Sequence, residues 1–280
     1  RYHIVHFLDG EHSGQYLPRF VRKMGLPRPR TVATFHQPPG LQRTLINPDV
    51  VRCFDHVTVF SPSQVPIFLE WLPPHRVHLL LHGIDIDFFH PPSAPRPGGR
   101  RIRCITVGHW LRDWDALRGV AQAFMTDPDV LFDVVTTRDT RLEGLPNVTH
   151  HRAIPDAALA ELYRRADVLL LPLTECTANN ALLEGIASGL PVVSSDFHGV
   201  RFHLSGDESL LASPGDVEGL VGAVRKLQRE PALRLDMGRR ARVRSEELAW
   251  SKVVNGFAEL YEAVVAEPSS AKTVSATPKS

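Results

Sequence analysis

The stretch that decides the fold covers residues 167–196 and reads DVLLLPLTECTANNALLEGIASGLPVVSSD. Residues 168–171 form an unbroken apolar run, which is typical of a parallel strand buried on both faces. The pair Asn179-Asn180 suits a helix start, whereas Gly189 and Pro191 suit the end of that helix. The stretch therefore predicts strand, loop, helix and strand, the repeating unit of a parallel α/β sheet.

The predicted helix begins at the carboxyl end of a parallel strand, where ligands of open α/β sheets bind. Free N–H groups at such a start, and the helix dipole, favour a phosphate. Glu184 is a carboxylate in an otherwise apolar helix, and full burial of an unpaired carboxylate is costly. We therefore expect a phosphate site at the helix start and a hydroxyl contact at Glu184. An ordinary β-α-β unit with a plain polar turn is the alternative.

The run NNALLEGIASGLPVVSSD, residues 179–196, resembles the nucleotide-sugar signature of glycosyltransferase family four. Members of that family have the GT-B fold, in which two Rossmann-like domains face each other across a cleft. The signature has two glutamates, and the second one holds the ribose hydroxyls of the donor nucleotide. That position is Glu184 here, whereas the first position falls on Cys176. Either Glu175 takes the role of the first glutamate or Thr177 and backbone groups do, and we favour Glu175.

The resemblance implies a retaining glycosyltransferase, which moves a sugar from a nucleotide-diphosphate donor to an acceptor. It identifies neither the acceptor nor the base and sugar of the donor, and it implies no metal or other cofactor. The leaving diphosphate is expected at the helix start, which comprises Asn179, Asn180, Ala181 and Leu182.

Two further loops enter the predicted site. His36 follows a predicted strand at residues 31–35, and family members carry a histidine in this loop that contacts the donor sugar. Gly108 follows the first strand of the second half. The family places an Arg directly after this glycine and a Lys five residues later, but here these positions are His109 and Trp114. We expect Arg112 to supply the cation, because a guanidinium matches phosphate oxygens in a bidentate fork.

The alternation of apolar runs and helical patterns predicts an α/β protein of two domains. We expect a partial amino-terminal, acceptor-side Rossmann-like domain, a linker, a nucleotide-sugar-binding domain, a helix that returns to the first domain and a disordered tail. The chain begins within a predicted strand, so we expect the first part of the amino-terminal domain to be missing, with a compact variant as the alternative. The five segments are residues 1–92, 93–100, 101–249, 250–265 and 266–280.

Two segments with weaker family matches adjoin the predicted site. Residues 82–91, HGIDIDFFHP, resemble the Asn-Gly-Val-Asp run that closes the first domain, and we expect them to form a turn rather than contact a ligand. Residues 197–200 occupy the place of a Gly-Gly loop that lies close to the donor in family members.

The composition excludes several classes of function. The chain is 43% hydrophobic and 22% charged with a net charge of +1, which is typical of a soluble globular protein and gives no reason to expect nucleic acid binding. The 3 cysteines and 14 histidines match no metal spacing. No apolar run is long enough to span a membrane, and a reducing cytoplasm is the simplest setting.

The basic stretch Gln15–Arg30 leaves two interpretations open. It holds basic residues that can contact an anionic membrane at its cytoplasmic face, as the lipid acceptors of some family members suggest. A solvated helix face is the more ordinary interpretation.

Two alternative functions use the same scaffold. A nucleotide-sugar epimerase or hydrolase needs an added acid/base set in the cleft, and Asp9, Glu11 and His12 are the residues available for it. A protein that binds the nucleotide sugar without turnover is the other alternative, because two positions of the family pattern are altered.

Overall fold

The computed structural model describes residues 2–14, 16–24, 29–96 and 98–267. Strands and helices alternate along the described chain. The strands are β1 Ile4–Phe7, β2 Arg30–Phe35, β3 His56–Val59, β4 Val77–Leu79, β5 Ile102–Val107, β6 Val130–Val135, β7 Val148–His151, β8 Val168–Leu171, β9 Val192–Ser195 and β10 Ser209–Ala212. The helices are α1 Leu17–Lys23, α2 Pro39–Leu45, α3 Pro48–Val51, α4 Val65–Leu69, α5 Trp114–Ala123, α6 Asp156–Arg165, α7 Asn180–Ala187, α8 His198–His203, α9 Val217–Arg229, α10 Pro231–Glu247 and α11 Trp250–Ala266.

The strands form two parallel sheets. The first sheet has the order β1-β2-β3-β4, and the second has the order β10-β9-β8-β5-β6-β7. All neighbouring strands pair in parallel. The structure thus confirms the predicted α/β class, with a four-stranded sheet in the first half and a six-stranded sheet in the second.

The unit β8-α7-β9 lies within the second sheet and has the predicted order of strand, loop, helix and strand. All four residues of β8 are fully buried. Helix α7 packs closely on this strand because Gly185 has no side chain; a Cβ there would lie 2.6 Å from Leu169 Cδ2. Gly189 ends the turn after α7 with a φ of +70°, a conformation that glycine adopts without strain. The tight packing fixes where α7 begins relative to the sheet edge.

Helix α11 packs against the first sheet. Leu260 and Val264 form a small buried cluster with Val32 of β2. The hydroxyl of Tyr261 lies 2.6 Å from Nδ1 of His6 on β1. The carboxy-terminal helix therefore joins the two halves of the chain.

One segment differs from its prediction. Residues 197–200 were expected to form a loop, but helix α8 starts at His198. A Cβ on Gly199 would overlap the carbonyl oxygens of Cys176 and Thr177, so α8 lies directly against the loop after β8. The predicted disordered tail lies almost wholly outside the described residues, which end at 267.

Candidate active site

A cavity of about 460 Å³ lies between the two halves of the chain, where loops from the carboxyl edges of both sheets meet. These loops follow β2, β5 and β8, and the first turns of α7 complete the wall. The lining residues are His36, Gln37, His82, Val107, Gly108, His109, Trp110, Leu111, Arg112, Leu159, Glu175, Cys176, Thr177, Ala178, Asn179, Asn180, Ala181 and Glu184. With the exception of Leu182, every residue predicted for the site lines this cavity.

The start of α7 has the geometry of a capped helix. Asn179 is the N-cap, with a φ of −138°, and its Oδ1 accepts a hydrogen bond of 3.3 Å from the Leu182 amide. Leu182 itself is fully buried in the core and its amide donates to this cap, so its predicted contact with the donor stays a prediction. By helix geometry, the amides of Asn180 and Ala181 have no acceptor within the helix. An anion at the start of α7 would accept hydrogen bonds from these two amides.

Arg112 is held beside the helix start by three hydrogen bonds. Its Nε donates to Val107 O at 2.8 Å, and its Nη1 donates to Trp110 O at 2.8 Å. Its Nη2 donates to Asn179 Oδ1 at 3.3 Å. A guanidinium has five N–H donors, so two remain for a ligand. The side chain is thus oriented before a ligand arrives, which lowers the entropy cost of binding.

Gly108 makes the position of Arg112 possible. Its φ is +96°, and a Cβ there would lie 2.6 Å from Arg112 Nη2. Burial lowers the pKa of Arg112 from its usual value, although a guanidinium remains charged at neutral pH. The loop after β5 therefore presents one fixed positive charge to the cavity.

Glu184 faces the cavity one turn into α7. Its Oε2 accepts a hydrogen bond of 2.8 Å from the hydroxyl of Tyr163 on α6. Burial raises the pKa of Glu184, while the Tyr163 hydrogen bond and the charge of Arg112 oppose that rise. No other partner binds this carboxylate within the described part of the chain, so Oε1 remains for a ligand hydroxyl. Sequence reasoning missed Tyr163, because no local pattern links α6 to α7.

The loop after β2 is held by a buried carboxylate. Glu11 Oε1 accepts the amides of His36 and Gln37 at 2.5 and 2.7 Å. His36 Nε2 lies 2.7 Å from Leu8 O, and a carbonyl only accepts, so Nε2 carries the proton. In the neutral ring, Nδ1 of His36 is then an acceptor. Nδ1 has no hydrogen-bond partner among the described residues.

Among the described residues, two hydrogen bonds join the loop after β2 to the second half of the chain. Thr177 Oγ1 donates to His36 O at 2.5 Å, and Trp110 Nε1 donates to Gln37 Oε1 at 3.1 Å. The Thr177 hydroxyl therefore joins the two halves of the chain, whereas the sequence predicted that it would bind the donor. Glu175 lines the cavity as predicted, and its Oε1 accepts the following amide, of Cys176, at 3.2 Å.

Several sequence-based alternatives are not supported by the geometry. His109 lines the cavity and is exposed, but Trp114 packs against the second-domain core instead of replacing the family's lysine at the site. Asp9 and His12 pair with each other at the surface at 3.0 Å. Together with Glu11, whose Oε1 supports the loop after β2, they are absent from the cavity wall. The structure therefore does not assemble the acid/base set that an epimerase or hydrolase was expected to use.

Other predictions concern metal and membrane. Within residues 2–14, 16–24, 29–96 and 98–267, no group of three His, Cys, Asp or Glu side chains is placed to hold a metal ion. No helix in the same ranges has the length and apolar character needed to cross a bilayer. The basic stretch Gln15–Arg30 lies partly outside the described residues, and its contact with a membrane stays a prediction.

The chain matches known glycosyltransferases in sequence. Residues 106–230 match the family model of the glycosyl transferases group 1. A D-inositol 3-phosphate glycosyltransferase of Kineococcus radiotolerans is 30% identical over 240 residues, which are 81% of this chain and 51% of the relative.

Solved structures share the fold. A sucrose-phosphate synthase of Thermosynechococcus elongatus superposes with a TM-score of 0.78 at 20% identity, over 95% of this chain and 74% of that one. HepE of Anabaena, solved in complex with UDP and glucose, superposes with a TM-score of 0.74 at 14% identity, over 94% and 78%.

The match over residues 106–230 and the shared GT-B fold confirm the resemblance inferred from residues 179–196. The chain spans 59% and 51% of the lengths of two D-inositol 3-phosphate glycosyltransferases that it matches.

Proposed function

We propose that the protein is a retaining glycosyltransferase that moves a sugar from a nucleotide-diphosphate donor to an acceptor hydroxyl. One observation carries the proposal: the start of α7, Arg112 and Glu184 border a single cavity between the two halves of the chain. A complex of HepE with UDP and glucose supports a nucleotide sugar as the donor, because HepE shares this fold.

The diphosphate is assigned to the second-domain wall of the cavity, which is formed by the loop after β5 and the start of α7. Its oxygens accept hydrogen bonds from the amides of Asn180 and Ala181 and from the two remaining N–H groups of Arg112, and His109 lies beside them. Charge that develops on the leaving diphosphate is stabilised by these fixed donors, which need little reorganisation during the reaction. Glu184 Oε1 accepts a hydrogen bond from a ribose hydroxyl. Tyr163 keeps the carboxylate in place for this contact.

The sugar is assigned to the space between that wall and the loop after β2. His36 and Glu175 orient it, so that the acceptor hydroxyl attacks the face from which the diphosphate leaves. The acceptor oxygen bonds to the anomeric carbon as the bond from that carbon to the β-phosphate oxygen breaks. The acceptor proton passes to the released phosphate oxygen. Because attack and departure occur on the same face, the configuration at the anomeric carbon is unchanged.

Calorimetry with UDP, GDP and ADP tests the nucleotide site. Glu184→Gln keeps an acceptor for Tyr163 but removes the charge, and Arg112→Gln removes the guanidinium. Each change should weaken the tightest nucleotide about 10- to 100-fold, because hydrogen bonds to charged groups contribute about 1.5–3 kcal/mol.

Matched controls change the same residue types away from the cavity. Glu218 and Arg138 are exposed, and Glu218→Gln and Arg138→Gln should leave affinity within about twofold of the parent. Thermal melts would establish that each variant is folded. Undiminished affinity in both site variants would remove the assignment.

Incubation of the matching nucleotide sugar without an acceptor separates transfer from epimerisation. A transferase should release the free sugar slowly and form no epimer. An epimerised nucleotide sugar would contradict the proposal, and so would the absence of both hydrolysis and transfer to every acceptor offered.

A further inference from the structure

His82 lines the same cavity, although its sequence context predicted only a turn. The residue follows β4 and belongs to the first half of the chain. Its Nδ1 lies 2.8 Å from Gly83 O, and its backbone amide donates to His203 Nε2 at 3.4 Å. A carbonyl oxygen only accepts, so the proton of the neutral His82 ring is on Nδ1. Nε2 is then an acceptor, and it has no hydrogen-bond partner among the described residues.

The ring of His82 is fixed between two aromatic side chains. Its centroid lies 5.0 Å from that of Phe60 and 5.4 Å from that of Trp250. Burial lowers the pKa of His82, the Gly83 hydrogen bond opposes this, and the nearby His36 adds to it. The lowered pKa favours the neutral ring near pH 7, and the edge-on and tilted contacts with Phe60 and Trp250 restrict the rotation of the ring.

His36 offers a second acceptor on the same side of the cavity. Its ring centroid lies 5.3 Å from that of Phe60, so the two imidazoles flank one phenyl ring. Each has one nitrogen bonded to a backbone carbonyl, and in the neutral ring the other nitrogen is an acceptor with no partner among the described residues. The opposite wall, by contrast, presents hydrogen-bond donors from Arg112 and the start of α7. The ligand group that suits the first-domain side is one that donates hydrogen bonds, such as a sugar hydroxyl.

We propose that His82 Nε2 accepts a hydrogen bond from a hydroxyl of the transferred sugar, and that His82 and His36 together select a sugar with hydroxyls at this side of the cavity. This inference rests on the proposed function, since it assumes that a nucleotide sugar occupies the cavity. It assigns His82 a role in sugar recognition, separate from nucleotide binding at Glu184 and Arg112.

Two substitutions test the hydrogen-bond acceptor of His82 and its aromatic ring separately. His82→Phe keeps an aromatic ring between Phe60 and Trp250 but removes the acceptor. His82→Gln keeps an acceptor near the position of Nε2 but loses the ring. His75 is exposed and does not line the cavity, so His75→Phe is the matched control.

The measured quantity is the affinity for a nucleotide-glucose conjugate divided by the affinity for the nucleotide alone. Calorimetry first identifies which of UDP, GDP and ADP binds the parent protein, and then compares that nucleotide with its glucose conjugate. The ratio should fall about 3- to 10-fold in His82→Phe, as expected for the loss of one hydrogen bond, while nucleotide affinity stays within about twofold. His82→Gln should recover part of the ratio, and His75→Phe should not change it.

The outcomes distinguish this inference from the proposed function. If no nucleotide binds the parent protein, both the proposed function and this inference are overturned. If the nucleotide binds and the ratio in His82→Phe equals that of the parent, only the role of His82 is overturned. A parent ratio of one, which means that the sugar adds no affinity, overturns it as well.

Discussion

The two walls of the cavity are built in different ways. The second-domain wall consists of a helix start and a glycine loop that pack directly on a buried sheet, with Arg112 and Glu184 fixed by neighbours of the same domain. The first-domain wall consists of His82 after β4 and of the loop after β2, which is held by the carboxylate of Glu11 and the carbonyl of Leu8. Tight backbone packing positions one wall, and a few polar contacts position the other.

This difference assigns the walls separate tasks. A rigid wall with hydrogen-bond donors suits the diphosphate, whose charge is the same in every nucleotide sugar. A wall with imidazole acceptors suits the sugar, whose hydroxyls differ between donors. We therefore expect nucleotide affinity to depend on the second-domain wall alone, and sugar affinity to depend on both.

The largest effect is expected where the backbone of the second-domain wall is packed most closely. Gly199→Ala places a methyl group against the carbonyl oxygens of Cys176 and Thr177, which belong to the backbone and cannot turn aside. We expect a loss of about 2–3 kcal/mol in the free energy of unfolding, measured by urea denaturation, together with weaker nucleotide binding.

Gly222→Ala is the matched control for this substitution. Gly222 lies in α9 with open space around its Cβ position, so alanine there should be neutral or stabilise by up to about 1 kcal/mol. Equal unfolding free energies for Gly199→Ala and the parent would show that the loop after β8 is not rigidly packed.

An intermediate effect is expected from acid, which should weaken the support of the first-domain wall. Burial lowers the pKa of His6 on β1 to about 4, and His78 on β4 has a pKa of about 4 for the same main reason. The unfolded chain takes up these protons near pH 6.5 and the folded chain does not. Stability should therefore fall as the pH drops from about 6.5 towards 4.

Urea denaturation at several pH values between 7.5 and 4.5 measures this slope. His6→Gln removes one of the titrating groups, so its slope over the same interval should be shallower than that of the parent. His3→Gln, at an exposed position, is the matched control. A parent stability that is constant down to pH 4.5 would contradict the buried neutral state of His6.

The smallest effect is expected at the bonds that join the walls. Thr177→Val removes the hydroxyl that donates to His36 O, whereas Thr177→Ser keeps it. We expect Thr177→Val to lower nucleotide-sugar affinity about 2- to 5-fold and to leave nucleotide affinity unchanged, because only the first-domain wall is displaced. Calorimetry on both variants checks this. An equal loss for nucleotide and nucleotide sugar would mean that the two walls do not have separate tasks.

The second-domain wall could be predicted from sequence because its signals are local. The apolar run of β8, the cap at Asn179 and the glycine at 189 lie within about twenty residues of each other, and Glu184 stands out as a carboxylate in an otherwise apolar helix. Arg112 was identified from a glycine loop four residues before it. The parallel α/β fold followed from the same local signals.

The first-domain wall could not be predicted in the same way, because distant residues hold it. Glu11 and His36 are 25 residues apart, and Thr177 and His36 are 141 apart. Glu11 was interpreted as part of an acid/base set, although its carboxylate supports backbone amides. His82 was interpreted as a turn residue, because its ring contacts with Phe60 and Trp250 depend on residues far along the chain.

A structure of the protein with bound UDP tests the central claim most directly. We predict that the diphosphate lies at the start of α7, within about 3.2 Å of the amides of Asn180 and Ala181 and of the Arg112 guanidinium, with a ribose hydroxyl on Glu184. UDP bound with its diphosphate away from α7, or with its ribose out of reach of Glu184, would contradict the account.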